Sequence, residues 1–464
     1  MVDILMILVS AAPFVVAGVG LLALGWPATR VGMMALAAAV AGALALGGTG
    51  LVAPLVGGLG TSGRVLFVLF GGLLLYNLLS AGGAVGKVSR YLGRLEPDPV
   101  ALAAGVVVGV APFFESVTGF GVAVVISAPI LLAAGFSPLK AAVLASWGQC
   151  AVPWGALGVG TVIGADLAGM GFDGLSDASA FLSLPLFPVY GVSAVALAGG
   201  WSGLRRRGAE GAMLGLVAGV GTLATSLYVA PDLSGAIGGL AATAFFLARR
   251  RRRAGGAPVR ALLPYAFLLV LIVALNAAGD PGSVAFVGPI LDGPGLPLLV
   301  SSAFAALLLG VAGGRIGEAV RGTGRQWLPT AGAVLTFVLA GAVVADGGAA
   351  VVLAEQASRF GALYPAFLPV LGAFGGALAG SNAASNALFM PLQVEAARGL
   401  GIPETLAAAA QNVSGSHASL LAPQRIVLAA TATGLVGREG EITRLAIAPV
   451  AISIAILAVI GMVG

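Results

Sequence analysis

The chain has 464 residues; 59% are hydrophobic and only 9% are charged, against about 25% charged residues in a soluble globular domain. A mean hydropathy of +1.06 and recurrent apolar runs near the ~20 residues that span a bilayer exclude a soluble domain and point to an all-α polytopic membrane protein; the short alternating segments of a transmembrane barrel are not seen. The single cysteine, Cys150, excludes an internal disulfide and a cysteine-based metal cluster.

The apolar segments fall at roughly 4–25, 31–48, 65–86, 100–111, 139–163, 181–200, 211–229, 233–248, 260–277, 296–313, 329–345, 361–379, 419–435 and 445–463. They predict about 12–14 transmembrane segments. The N-terminus, Met1 to Gly25, has no basic n-region and only Asp3 as a charge, so it reads as a first helix rather than a cleaved signal peptide. Four units follow from the pattern: N-terminal scaffold helices over 1–98, a first repeat unit over 99–200, scaffold helices with basic loops over 201–328, and a second repeat unit over 329–464.

The loops are polarised. Arg30, the Lys87/Arg90/Arg94 loop, Lys140, Arg205–Arg207, Arg249–Arg253 with Arg260, Arg315/Arg321/Arg325 and Arg438/Arg444 fall on one side if the spans alternate. Asp166, Asp173, Asp177, Asp232, Asp280 and Asp292 mark the other. The positive-inside rule makes the basic side cytoplasmic and both termini external, in a multi-pass protein of the cytoplasmic membrane. The net charge of +5 is thereby explained without nucleic acid; the Arg249–Arg253 run is one loop between two spans.

Two polar breaks interrupt the apolar pattern, Pro112 to Gly121 and Gly380 to Phe389. Ionisable or amide side chains at membrane depth are costly and are read as functional by default, and paired breaks, one per half, are the sequence pointer to a transporter's binding site. The charges of Arg94 and Lys140 require the first stretch to enter and leave on the basic side, as a re-entrant hairpin of 100–111 and 122–134. The second would enter and return on the opposite side. Gly135-Phe136-Ser137-Pro138 and Gly401-Ile402-Pro403 match at an offset of 266 residues, which also sets Glu115 opposite Ser381 and Ser116 opposite Asn382. Seven intervening spans, an odd number, would make the repeat inverted.

The chemistry-bearing residues lie in and after these breaks. A carboxyl group away from water and cations favours its protonated form, which makes Glu115 the candidate proton carrier; a hydrogen-bonded structural acid is the alternative. The N–H groups freed near Gly119 and Gly121, with the hydroxyls of Ser116 and Thr118, suit an anion at a half-helix N-terminus. Ser381, Asn382, Ser385 and Asn386 offer donors and acceptors for a carboxylate, a substrate hydroxyl or a sodium ion, or for helix–helix hydrogen bonds. Asn412, His417, Gln424 and Arg425 form a third cluster. His417, the only histidine, fits a proton relay or a packed residue. Arg425 requires an anionic partner, either Glu115, Glu395, Glu404 or a substrate carboxylate, unless it snorkels at a helix end. Gln149 and Cys150 either line the same cavity or pack. No Walker A, CxxC or HExxH motif is present, so neither ATP-driven pumping nor a cofactor or metal is indicated.

At these positions the chain resembles the lactate permease family. The residues are Phe113-Phe114-Glu115-Ser116-Val117-Thr118-Gly119-Phe120-Gly121 with Gly135-Phe136-Ser137-Pro138-Leu139, then Gly155-Ala156-Leu157-Gly158. They continue through Gly380-Ser381, Ser385-Asn386-Ala387-Leu388-Phe389 and Leu392-Gln393 to Pro423-Gln424 and Ala432 to Gly440. The resemblance implies secondary uptake of lactate, glycolate or a related 2-hydroxy monocarboxylate with protons. Its wider superfamily implies paired re-entrant hairpins, an elevator-like scaffold and a homodimer. The chain departs from the family pattern in carrying Asn382 where Asp is usual, no lysine between Gly415 and Ala422, and Arg425 where a small residue is usual. A rebuilt anion site follows from these departures. The expected function is therefore import of a small organic anion with protons, with a sodium-coupled carrier or an anion channel as alternatives. A membrane-embedded enzyme, for which Ser419 near His417 is too weak a signal, is not expected.

Overall fold

The computed structural model describes residues 4–94, 96, 98–119, 121–249, 258–277 and 293–463. Phe120, Arg250 to Arg253, Asp280 and Asp292 lie outside the described residues. The described residues form helices and turns with no strand among them. The first half comprises α1 (Ile4–Gly18), α2 (Ala28–Ala45), α3 (Val52–Ala81), α4 (Ala84–Leu92), α5 (Pro99–Gly105), α6 (Ala111–Thr118), α7 (Val122–Ala133), α8 (Pro138–Trp147), α9 (Val159–Leu167) and α10 (Phe172–Ser183). Then come α11 (Leu186–Tyr228), α12 (Ser234–Ala248) and α13 (Val259–Ala277). The second half comprises α14 (Gly295–Leu309), α15 (Gly313–Asp346), α16 (Ala349–Ala357), α17 (Tyr364–Ala379), α18 (Asn382–Leu400), α19 (Glu404–Ser419), α20 (Pro423–Thr433) and α21 (Glu439–Val463).

Ten helical stretches among the described residues are long and apolar enough to cross a membrane, with Val122–Ala133 and Gly295–Leu309 as shorter apolar helices. Several boundaries differ from the hydropathy pattern. The first break is shorter than expected: the chain stays helical from Pro99 to Thr118, and α7 begins at Val122, with Gly119 and Gly121 the described residues between them. A π turn at Val106–Val110 precedes Pro112, which sits near the start of α6, where the lost proline N–H costs least. The second break shrinks to Gly380 and Ser381. The expected span 139–163 is broken at 148–158. The spans 181–200 and 211–229 belong to one helical run reversed at Gly200 (φ 59°, ψ −155°). Helices α18 and α19 lacked an apolar signature because they are wrapped in protein: Asn382, Ser385, Asn386, Gln411 and Asn412 are all buried.

The two halves correspond element by element at the offset of 266 residues read from the sequence. Shifted by that amount, α3, α4, α8 and α9 fall on α15, α16, α19 and α20, with α8 and α19 starting, and α9 and α20 ending, at matched positions. Packing repeats the correspondence. Helix α2 packs on α15 as α14 packs on α3; α7 packs on α20 as α18 packs on α9; α8 packs on α21 as α19 packs on α10. The equivalent helices α3 and α15 are antiparallel, since Gly58 lies against Leu339 and Ala342, Leu66 O accepts from Trp327 Nε1 at 2.8 Å, and Asn77 Nδ2 donates to Thr323 Oγ1 at 2.9 Å. The 77/323 pair, transposed by the offset, lands next to the observed Gly58–Ala342 approach. The halves are therefore inverted about an axis through the α3/α15 crossing, an arrangement shared by many secondary transporters.

Burial follows the solvent a membrane provides. Helices α1, α13 and α21 expose Ile4, Leu5, Leu8, Val270, Val459 and Val463, which fits lipid rather than water. The stretch Val100–Thr118 is buried throughout, so the broken helices and the polar residues they carry sit at the centre of the molecule.

Candidate functional site

Glu115 lies on the last turns of α6 and is 1% exposed. Its Oε1 accepts from Arg425 Nη1 at 3.2 Å and from the Gly121 N–H at 3.4 Å, while Oε2 has no protein partner. Arg425 sits in the first turn of α20, its side chain 12% exposed. Its Nε donates to Gly380 O at 2.9 Å, and Nη1 also donates to Gln149 Oε1. Gln424 Nε2 donates to Ala379 O at 2.8 Å. The pair Gln424–Arg425 thus satisfies the carbonyls ending α17, where a cation is favoured by the helix dipole. Gly380 is required there twice over: its φ is +63°, and a Cβ would overlap Gln424.

Glu115, Ala379, Gly380, Gln424 and Arg425 line a cavity of about 340 Å³ bounded by both breaks, the loop at Val152–Ala156, and residues of α2, α3 and α15, including Thr29, Leu69, Thr330 and Phe337. Among the described residues its one cation is Arg425 and its one carboxylate is Glu115. Asn382 also lines the cavity and holds an enclosed Oδ1 with no protein partner.

Of the residues selected from sequence, the fold gathers Glu115, Gly119, Ser381, Asn382, Gln424 and Arg425 around the cavity. The others lie outside its lining. Ser116 faces Gly235 of α12, and Thr118 Oγ1 donates to Phe114 O at 2.6 Å. Gly121 packs against Leu428, as Gly160 and Gly164 pack against Asn382 and Asn386 in the related position of the other half. Asn412 is the hub of an enclosed network: its Oδ1 accepts from Asn382 and Asn386 at 2.7 and 2.8 Å, and its Nδ2 donates to Thr161 and Ser179 at 3.0 and 2.9 Å. Ser385 Oγ accepts from Gln411 at 3.0 Å. For Ser385 and Asn386 these contacts are of the helix–helix kind, and Asn412 joins α18 and α19 to α9 and α10. His417 is enclosed against the edge of Tyr190, ring centroids 5.2 Å apart, with neither nitrogen hydrogen-bonded.

Arg425 does not snorkel, and of its four candidate partners it meets Glu115. Glu395 and Glu404 instead bind Arg398 at 2.5 and 2.9 Å, which holds the Glu404 carboxyl below its usual range. The candidate proton carrier Glu115 and the second break meet at a single joint centre, because Arg425 bonds to groups of both breaks. Thr29, Thr330 and Phe337 carried no sequence signal, since a lone threonine near a helix end is unremarkable until the fold sets it beside the breaks. One further feature was invisible: Ala156 and Leu157 both have positive φ, 42° and 57°. Their N–H groups donate to Glu115 O and Ser116 O at 3.1 and 2.6 Å, tying this strained loop to the helix that carries Glu115.

Comparison with known proteins places this geometry in context. The L-lactate permease family model matches residues 6–253 and 264–463. The chain is 26% identical over 456 residues to the glycolate permease GlcA of Escherichia coli, covering 82% of this chain and 80% of that one. It is 26% identical over 391 residues to an L-lactate permease of Streptococcus iniae, covering 76% and 82%. Among solved structures, the YdaH transporter of Alcanivorax borkumensis superposes with a TM-score of 0.50 at 14% identity over 90% of this chain and 88% of that one, a likeness of fold.

Proposed function

Because the chain belongs to the L-lactate permease family, we infer that this multi-pass transporter of small organic acids carries a 2-hydroxy monocarboxylate such as lactate or glycolate inward together with protons. The observation that carries this reading is the cavity between the two breaks, with Arg425 as its one cation among the described residues. An arginine matches a carboxylate bidentately, and a cavity of about 340 Å³ accommodates a molecule of a few heavy atoms. The unpartnered Asn382 Oδ1 supplies an acceptor for a substrate hydroxyl. The printed names of the relatives, glycolate permease and L-lactate permease, favour the same class of acid. Glu115 is the group assigned to the proton, since it is buried and shares the cavity with the cation.

In this reading α5–α7 and α17–α18 act as two re-entrant hairpins moving against the scaffold helices α2, α3, α14 and α15, with the basic loops cytoplasmic and the termini outside. The inverted relation of the halves supports alternating access, because the two units exchange roles when the site turns from one face to the other.

The test is uptake into proteoliposomes. Radiolabelled glycolate should accumulate against its gradient when the lumen is made alkaline, and external pH should rise with uptake. Accumulation that follows sodium and ignores pH would replace the proton by sodium; flux that never exceeds equilibrium would make the protein a channel. A thermal-shift screen of hydroxy acids and keto acids on the purified protein ranks substrates, since a ligand of the folded state stabilises it.

A further inference from the structure

The cavity holds one cation and one carboxylate, and they are already paired: Arg425 Nη1 lies 3.2 Å from Glu115 Oε1. A substrate carboxylate reaching Arg425 therefore meets a carboxylate in its place. Arg425 Nη2 has no protein partner among the described residues, whereas Nε and Nη1 are engaged. Glu115 Oε2 is likewise an enclosed acceptor without a donor. Around Glu115, the helices packed on α6 bring little other charge. Helices α7 and α12 carry none. Helix α3 carries Tyr76 and Arg64, the latter facing Asp166 at 3.8 Å. The stretch after α8 carries Gln149 and Cys150, whose thiol is directed to Val107 O, and Tyr265 of α13 packs on Phe113 and Phe114.

We propose that Glu115 is a tethered stand-in for the substrate carboxylate and that coupling is an exchange on Arg425. It rests on the reading of Arg425 as the substrate's cation. The incoming carboxylate takes Nη1 and Nη2 as a bidentate pair, the Arg425–Glu115 ion pair breaks, and the Glu115 carboxylate takes up one proton that arrives from bulk solvent as hydronium and leaves a neutral water. One ion pair is lost and one is formed. The charge balances, since a carboxylate and a cation become a neutral acid and a new carboxylate–cation pair, so the enclosed site is neutral before and after. Without the proton, two carboxylates would share one cation beside the buried Glu115, which leaves one charge uncompensated and is penalised severely. Binding of the acid and uptake of the proton are thus one event, and no separate proton relay is required.

The experiment is glycolate binding to the purified full-length protein by calorimetry, between pH 5.5 and 8.5. In the wild type, affinity should fall about tenfold for each pH unit over the range in which Glu115 is ionised when free, as one linked proton requires. Measurements in two buffers of different ionisation enthalpy should give about one proton taken up per glycolate bound. The Glu115→Gln variant should bind at least as tightly as the wild type does at its lowest pH, with no pH slope. A flat wild-type profile with no proton uptake overturns the exchange, as does a Glu115→Gln protein that keeps the slope or loses binding while its thermal unfolding remains cooperative. The two-buffer measurement needs only the wild type, so a poorly folding variant leaves the proposal exposed. Absence of any monocarboxylate binding would sink the functional reading as well. Proton-coupled accumulation with no proton taken up on binding would spare that reading and reject the exchange alone.

Discussion

Arg425 Nη1 and Glu115 Oε1 lie 3.2 Å apart although 310 residues separate them in the chain, and the guanidinium simultaneously caps the helix that ends at Gly380. This one side chain ties Glu115 of the first half to the carbonyl of Gly380 at the break in the second. Loss of either partner of a buried ion pair strands the other. Arg425→Gln should therefore destabilise the protein by about 3–5 kcal/mol, read as a lowered unfolding temperature in detergent. Adding Glu115→Gln to it should recover a substantial part of that loss. Simple additivity of the two single changes would mean that the pair contributes no coupling.

Gly380 offers a sharper structural test. Gly135→Ala meets only a backbone penalty, because its φ is +87° but nothing lies within 4 Å of a Cβ there; about 1 kcal/mol is expected. Gly380→Ala adds an overlap with Gln424 and should cost several times more, with glycolate uptake falling at least tenfold. Equal unfolding temperatures for the two variants would contradict the close approach.

The Asn412 network predicts a separation of stability from affinity. Asn412→Ala removes four hydrogen bonds to Asn382, Asn386, Thr161 and Ser179 and leaves enclosed polar groups unpaired, at about 1–3 kcal/mol for each that finds no new partner. Thermal unfolding should shift strongly. The Kd for glycolate, measured on the folded fraction, should change much less than in Arg425→Gln, since Asn412 reaches the cavity only through its bond to Asn382.

His417 should be silent in coupling. It packs on Tyr190 and lies outside the cavity lining, so His417→Phe should leave the pH profile of uptake unshifted while altering stability. A displaced profile would restore the proton-relay reading of this residue.

The loop at Ala156 and Leu157 holds two non-glycine residues at positive φ, which costs about 1–2 kcal/mol per residue. Ala156→Gly should raise the unfolding temperature, or leave it unchanged where lost contact with Gly119 offsets the relief. If the strain belongs to the gating motion, the same change should slow uptake. Faster uptake with unchanged stability would remove the link.

The sequence alone determined the class, the membrane setting and the repeat. A high apolar content leaves water out as the solvent, and Gly135 and Gly401 marked an offset that the helix ends of both halves obey. Motifs around Glu115 and Ser385 carried the resemblance that the family match confirms. What hydropathy cannot report is the neighbour. It registers the cost of a polar group in lipid, and that cost is removed equally by a substrate cavity and by another helix. Asn412 and Arg425 thus read alike as intruders, and helices α18 and α19 read as no span at all. Only the packing of the two inverted halves decided that Asn412 is enclosed among amides and hydroxyls. The same packing brings the first turn of α20 to the break in α17 and to α6, so that Arg425 meets Glu115 at the cavity.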